Sequence, residues 1–380
     1  MSISRTTVDM RMPMSVVLEE TLLWLCSIAS PTGEERALCD AVQERLTRLP
    51  LAARIRRYGN SIVVPLVRKY GPRRPHVALV GHLDTVQTEN GPCRVEDGRC
   101  YGAGSADMKS GLSVMIVLAE TATQFVGCNL TLVFYAREEG PFADNELGLV
   151  IERDPDLRNV DLAVCLEPSD NKVHVGCCGS IHATVRFLGK TGHSARPWEG
   201  DNAITKAAGL LAKLGELRPI EHRVEGHIYR TITTVTLASG GRGRNIVPDA
   251  FSLNINHRFA PDTSTEQAQK DVLALVGTAG GATRVEFTDV SPGARPADNH
   301  PLVQRLTLAG ARSVEPKQAW TDVARFAALG IPAINFGPGE NAQAHQTNES
   351  TDLGLVFESY RILHTWLSRS DLTNTMPSKP

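Results

Sequence analysis

The chemically interesting residues of this 380-residue chain sit at the ends of short apolar runs. The run at 76–80 leads into Gly81-His82-Leu83-Asp84, the run at 130–135 into Arg137-Glu138-Glu139-Gly140, and the run at 161–166 into Glu167-Pro168. A fourth run, at 332–336, leads through a glycine-rich loop to His345. In open α/β sheets ligands bind outside the carboxyl ends of the strands, so acids and imidazoles at successive strand ends should meet in one crevice. Asp107 joins them from Gly102-Ala103-Gly104-Ser105-Ala106-Asp107-Met108-Lys109, where the glycines let the backbone pass close to a bound group. Taken singly, Asp107 reads equally well as a helix N-cap, His82 as a satisfied core histidine, and Glu138, Glu139 and Glu167 as solvated loop acids. Five such readings would have to hold independently, and a shared site is the simpler account.

Two imidazoles and several carboxylates, without a thiolate, suit zinc, cobalt or manganese at a hydrolytic centre better than a structural zinc site. Two ions about 3.5 Å apart need one carboxylate to bridge them. His82, Glu167 and His345, with Asp107 and Glu139, would fill both shells and leave positions open for water. Asp84, two residues beyond His82, is placed to accept the other imidazole N–H. With Glu139 a ligand, Glu138 is left to face the water as general base.

Other chemistries fit less well. A dinucleotide fingerprint would need glycine where Asp107 stands, and a P-loop would need glycine where Met108 precedes Lys109-Ser110. The G-x-S-x-G elbow of a serine hydrolase is missing. A non-catalytic relative should have lost a ligand or the base, and every expected position is filled.

The elements that must position these groups follow from periodicity. Helices are expected at 16–28, 34–49 and 109–125, and strands at 61–67, 76–80, 130–135 and 161–166. Such alternation predicts an α/β domain, a mostly parallel mixed sheet with helices on both faces. From about Gly179 the style changes to strand 181–188, helix 202–217, strands 231–238 and 251–258, helix 265–276 and strand 283–290. That order predicts an inserted α+β, ferredoxin-like domain. The α/β style then returns with helices at 302–309 and 321–329, a strand at 332–336 and a helix at 353–367. The expected domains are a discontinuous catalytic part, 1–178 and 296–380, and an insertion, 179–295.

At these residues the sequence resembles the di-zinc family containing succinyl-diaminopimelate desuccinylases, acetylornithine deacetylases, aminoacylases and glutamate carboxypeptidases. The likeness runs from Val16 to Leu367 and rests on Gly-His-Leu-Asp-Thr-Val (81–86), Gly-Ala-Gly-Ser-Ala-Asp-Met-Lys-Ser-Gly (102–111), Glu138-Glu139-Gly140, Glu167-Pro168, His193-Ser194-Ala195-Arg196-Pro197 and His345. The resemblance implies that His82 and Glu167 hold one metal, Glu139 and His345 the other, and that Asp107 bridges them. It makes Glu138 the base, zinc the ion with cobalt a possible substitute, and the insertion a lid through which a homodimer forms. His193 would then reach the partner subunit's site and stabilise the oxyanion. Asn245, Arg258, Asn341, Ser180 and Thr321 match substrate-side positions, Arg258 as a bidentate carboxylate clamp.

Within the family the likeness is to actinobacterial-type succinyl-diaminopimelate desuccinylases, carried by Trp320-Thr321-Asp322-Val323-Ala324-Arg325-Phe326, Asn335-Phe336-Gly337-Pro338-Gly339 and Pro292-Gly293-Ala294-Arg295-Pro296. The substrate so implied is N-succinyl-L,L-diaminopimelate, with acetylornithine or another N-acyl amino acid as the alternative. Gly176-Cys177-Cys178-Gly179-Ser180 lacks an arginine that some desuccinylases carry there, and Arg137 precedes the Glu pair where the family often has an acidic or small residue.

A net charge of −2 argues against nucleic acid or an anionic membrane as partner. No run approaches the roughly 18 apolar residues of a membrane helix. Residues 1–14, with Arg5, Asp9 and Arg11, do not read as a signal peptide. Eight cysteines without a C-x-x-C pair are expected to be free thiols in a reducing compartment, the cytoplasm.

Overall fold

The computed structural model describes residues 12–49, 54–66, 74–121 and 128–369. The chain divides into two compact units, the first Met1–Val175, Ala297–Glu315 and Arg325–Pro380, the second Gly176–Pro296 and Pro316–Ala324. The last segment departs from the expected boundaries, which assigned everything after 296 to the catalytic part. Its place in the second unit has a physical cause: Trp320 Nε1 donates to Pro292 O (3.0 Å), Gln318 accepts from the Arg230 N–H (3.0 Å) and donates to Ile228 O (2.9 Å).

The first unit is built on a sheet in the order Arg56–Tyr58, Ser61–Leu66, Asn129–Tyr135, His76–His82, Leu162–Cys165, Ala333–Asn335, Val173–Val175, Val314–Pro316. Its centre is parallel: His76–His82 runs with Asn129–Tyr135 and Leu162–Cys165, and the latter with Ala333–Asn335. Antiparallel pairings flank that centre. The central strands are mostly apolar and, past their first residues, buried on both faces, as covered parallel strands must be. Helices Met14–Cys26, Ser110–Glu120 and Leu353–Ser368 supply much of the same core, with Leu22, Met115, Ile116, Leu363 and Trp366 sealed from solvent. The expected helix at 109–125 is seen as Ser110–Glu120, and residues 122–125, like Val67 of the expected first strand, lie outside the described residues.

Because three neighbouring central strands run the same way, their carboxyl ends share one edge of the sheet. His82 ends the first, Glu138 and Glu139 follow the second, and Glu167 follows the third. One small sheet went unread in the sequence: Arg94–Glu96 turns through Asp97-Gly98 into Arg99–Tyr101, which pairs with Ser350–Asp352. Both turn residues have positive φ (49° and 74°), the conformation a two-residue hairpin loop requires.

In the second unit the strand order is Ile220–Val224, His227–Gly240, Ala250–Phe259, Gly179–Leu188, Arg284–Ser291, with antiparallel neighbours. Leaving out the first, this is the interleaved order of a split βαβ unit. Helices Ala203–Lys206, Ala208–Glu216 and Thr265–Ala279 bury Leu210, Val272 and Val276 against Val185, Phe187 and Ile255. The expected helix at 202–217 breaks at Ala207 into two. The strand Ile220–Val224 was not anticipated, although Glu225-Gly226, both with positive φ, is again a hairpin turn.

All eight cysteines are free, six of them buried. Among the described residues no helix is long and apolar enough to cross a membrane.

Gly111 tests how closely the helix Ser110–Glu120 sits against the end of strand Leu162–Cys165. A Cβ there would run into the backbone oxygen of Leu166. Gly111→Ala gains up to about 1 kcal/mol of helix propensity but costs about 1–3 kcal/mol in overpacking. The expected outcome in urea unfolding is a net loss of stability, and a stabilised variant would show that the helix can draw back from the strand.

Candidate metal centre

The carboxyl edge of the first unit brings six of the sequence-nominated groups together. Three sets of side chains each hold their ligand atoms within 4.8 Å of one another: His82 with Asp107 and Glu167, His82 with Glu138 and Glu139, and Asp107 with Glu139 and His345. Asp107 stands in the middle. Its Oδ1 lies 3.2 Å from His82 Nε2 and its Oδ2 3.5 Å from His345 Nε2, while His345 Nε2 is 3.0 Å from Glu139 Oε1. Two ligands each about 2 Å from a tetrahedral ion stand about 3.3 Å apart, so these spacings suit shared cations. The donors are nitrogen and oxygen alone, and two sets meet at one carboxylate; the residues present fit a pair of divalent ions.

His82 is buried, and its Nδ1 donates to the backbone carbonyl of Asp84 at 3.0 Å. That bond leaves Nε2 facing Asp107 Oδ1, the nitrogen a cation would take once its proton is lost. The sequence reading gave the accepting role to the Asp84 carboxylate, which is 3.6 Å away at Oδ1. The carboxylate is occupied elsewhere: Oδ1 accepts the Glu138 N–H and Oδ2 the Glu139 N–H, both at 3.0 Å, and Thr32 Oγ1 donates to Oδ2 at 3.2 Å. Asp84 therefore organises the histidine through its backbone and the glutamate pair through its side chain. Burial works against its charge, but His82 and the two backbone N–H groups outweigh that and hold the carboxyl below its ordinary value.

In the protein without bound cations both imidazoles are basic. Burial opposes protonation of His82, but its hydrogen bonds to Asp107 and Asp84 and the charge of Glu167 raise it well above the usual histidine range. The hydrogen bond to Glu139 pushes His345 up to about 9. Imidazolium thus offsets the converging acids where ions would otherwise do so.

Sequence reading missed Glu349. It is buried, and its carboxylate accepts N–H groups from Gly104 (2.9 Å), Ala106 (2.8 Å) and Asp107 (2.8 Å), the loop that presents Asp107. Burial pushes this carboxyl up to about 7 against the pull of those bonds. Nothing in Asn348-Glu349-Ser350 marks it out, and only the pairing of Ser350–Asp352 with Arg99–Tyr101 carries it there.

The remaining nominated residues fall outside this cluster. Asn341 is in the first unit, where its backbone N–H meets Asp170 at 3.4 Å. Five lie in the second unit. His193 is exposed on the short pairing of Gly192–His193 with Ile246–Val247, and Asn245 O accepts the neighbouring Ser194 N–H at 3.0 Å. Arg258 is paired in register with Ser180, and its Nε donates to Asn256 Oδ1 at 3.0 Å. Thr321 is buried.

A model of peptidase family M20/M25/M40 matches residues 78–369. A Mycobacterium tuberculosis protein provisionally named succinyl-diaminopimelate desuccinylase DapE is 38% identical over 344 residues, covering 90% of this chain and 96% of its own. The succinyl-diaminopimelate desuccinylase of Corynebacterium glutamicum is 35% identical over 352 residues, covering 90% and 94%. Among solved structures, the metallo-carboxypeptidase Sso-CP2 of Sulfolobus solfataricus superposes with a TM-score of 0.75 at 14% identity, over 94% of this chain and 99% of that one.

Ligation requires neutral imidazole, so divalent ions must displace the protons held on His82 and His345. Binding of zinc at pH 7.5 is expected to release about two protons and to weaken steadily as the pH falls below that. Calorimetry in buffers of different ionisation enthalpy measures this, and binding without proton release would show that the two imidazoles are already neutral.

Proposed function

The chain belongs to peptidase family M20/M25/M40, and from that premise we propose that it is a two-cation amidohydrolase acting on an N-acylated amino acid. The observation that carries the reading is Asp107, whose two oxygens face the two imidazoles of adjoining ligand sets. His82 and Glu167 would hold one ion, Glu139 and His345 the other, with Asp107 between them. Zinc is the ion we propose, with cobalt able to replace it. Bound there, the pair would polarise the amide carbonyl and ease deprotonation of water.

The chain's own residues do the rest. Glu138 lies within the same reach as His82 and Glu139, and is the base that takes the proton of the attacking water and passes it to the leaving amine. Its backbone is held by Asp84, so its carboxylate projects from a fixed point. His193 would donate a hydrogen bond to the carbonyl oxygen as negative charge develops, from a partner subunit. Arg258 is a clamp for a substrate carboxylate, with Ser180, Asn245, Asn341 and Thr321 as further substrate contacts. The substrate we propose is N-succinyl-L,L-diaminopimelate, on the strength of relatives so named that span nearly the whole chain. Acetylornithine or another N-acyl amino acid is the second reading, favoured by Cys177 and Cys178 standing where an arginine would grip a succinyl end. Free thiols throughout support a cytoplasmic address.

A homodimer through the second unit has its own support. The strand His227–Gly240 pairs with Ile220–Val224 only along 227–231. Beyond that its outer edge carries no strand among the described residues, and Ile232 and Leu237 are 40% and 70% exposed. Apolar side chains on an open edge strand invite pairing, and a second copy of the chain is the occupant we propose.

Three measurements test these readings. With zinc restored to chelated protein, the succinyl substrate should be hydrolysed in preference to N-acetylornithine. Glu138→Gln should keep its ions yet lose at least about two orders of magnitude in rate; near-normal turnover would remove Glu138 from the base role. Leu237→Asp should shift the species seen in light scattering from dimer to monomer, and an unchanged dimer would place the interface elsewhere.

A further inference from the structure

We infer that Glu349 is a positioning residue of the two-cation centre, fixing Asp107 against the segment that carries His345. The inference rests on the two-cation reading above. One side chain makes three bonds to one loop: Oε1 accepts the N–H groups of Ala106 and Asp107, and Oε2 accepts that of Gly104. Its backbone adds two more, its carbonyl accepting from Gly102 (3.1 Å) and its N–H donating to Asn90 Oδ1 (2.8 Å). Gly104, at φ 75°, turns the loop so that its N–H groups point inward, a nest for an anion. The anion is the protein's own carboxylate, 2% exposed.

Its place in the chain gives this bond set a consequence for the site. Glu349 lies four residues after His345, and Asp107 is 242 residues away in sequence. The Asp107 backbone N–H is tied to Glu349 while its side-chain oxygens stand between the two imidazoles. Glu349 itself belongs to none of the described ligand sets. It holds in register the two segments whose ligands must share an ion, and partners of this kind typically tune metal affinity or activity by about 10–100-fold. A glutamine of the same shape cannot replace it. Its oxygen could serve Ala106 and Asp107, but its NH2 would then confront the Gly104 N–H.

The test is titration of cobalt(II) into chelated wild-type, Glu349→Gln and Glu349→Asp proteins. Calorimetry and visible absorption are read, together with the melting temperature of each chelated protein. The wild type should take up two ions. Glu349→Gln should bind at least one of them about 10–100-fold more weakly and show an altered cobalt spectrum, with kcat lowered more than KM rises. Glu349→Asp, which keeps the charge, should recover part of the affinity, and if the glutamine variant is recovered unfolded the aspartate variant is held to the same criterion. Affinities and spectra equal to those of the wild type would overturn the inference, even with a lower melting temperature, because the bonds would then serve stability alone. A wild-type protein that takes up no pair of ions would instead overturn the two-cation reading beneath it.

Discussion

Acidic side chains converge on one edge of the first unit, and their mutual repulsion is the constraint on which the site depends. Asp107 with Glu139 and with Glu167, and Glu138 with Glu139, would not be held within 4.8 Å without positive charge among them. His82 and His345 supply part of it, each drawn toward protonation by the carboxylate it faces. Divalent ions would supply more charge at the same points and displace those protons. The same balance would make the centre sensitive to pH and, with ions bound, to chelation.

Geometry at the site is set by groups that are not themselves in contact with an ion. Asp84 fixes the His82 ring through a backbone carbonyl and spends its carboxylate on the N–H groups of Glu138 and Glu139. It thereby links His82 to Glu138 and Glu139, which follow the neighbouring strand. Glu349 does the comparable thing on the opposite side, where the loop of Asp107 meets the segment after His345. Both are buried carboxylates that accept several backbone N–H groups. Such bonds have little freedom to shift, which suits a site whose ligands must stay within tenths of an ångström.

The second unit solves a different problem. Its sheet is apolar on the side packed by helices, where Val185, Phe187 and Ile255 are buried, and polar on the other, where His182, Asn254 and Asn256 hydrogen bond among themselves. Arg258 sits at the end of that polar row, braced by Asn256. A guanidinium held in this way is suited to a carboxylate, and its pairing with Ser180 is one of two places in the unit where nominated residues meet. The other is the short pairing that joins His193 to the backbone beside Asn245.

Much of the catalytic unit was legible because its signals are local. Apolar runs that end in His, Asp or Glu report a covered strand and the polar edge beyond it, and parallel strands necessarily place those ends together. The alternation of the insertion, with helices between strands, was equally readable, since a strand period of two and a helix period of 3.6 need only a dozen residues to show. What the sequence determined by itself was therefore which acids and imidazoles would meet and the edge of the sheet that would gather them. It did not determine which atom of Asp84 meets His82, because the carbonyl and carboxylate of one residue are the same letter. Nor did it reveal Glu349, whose partners are backbone N–H groups reached through a pairing of Ser350–Asp352 with Arg99–Tyr101, some 250 residues away in sequence. Backbone donors carry no residue code, and long-range register leaves no periodic trace. Only the tertiary structure could decide them.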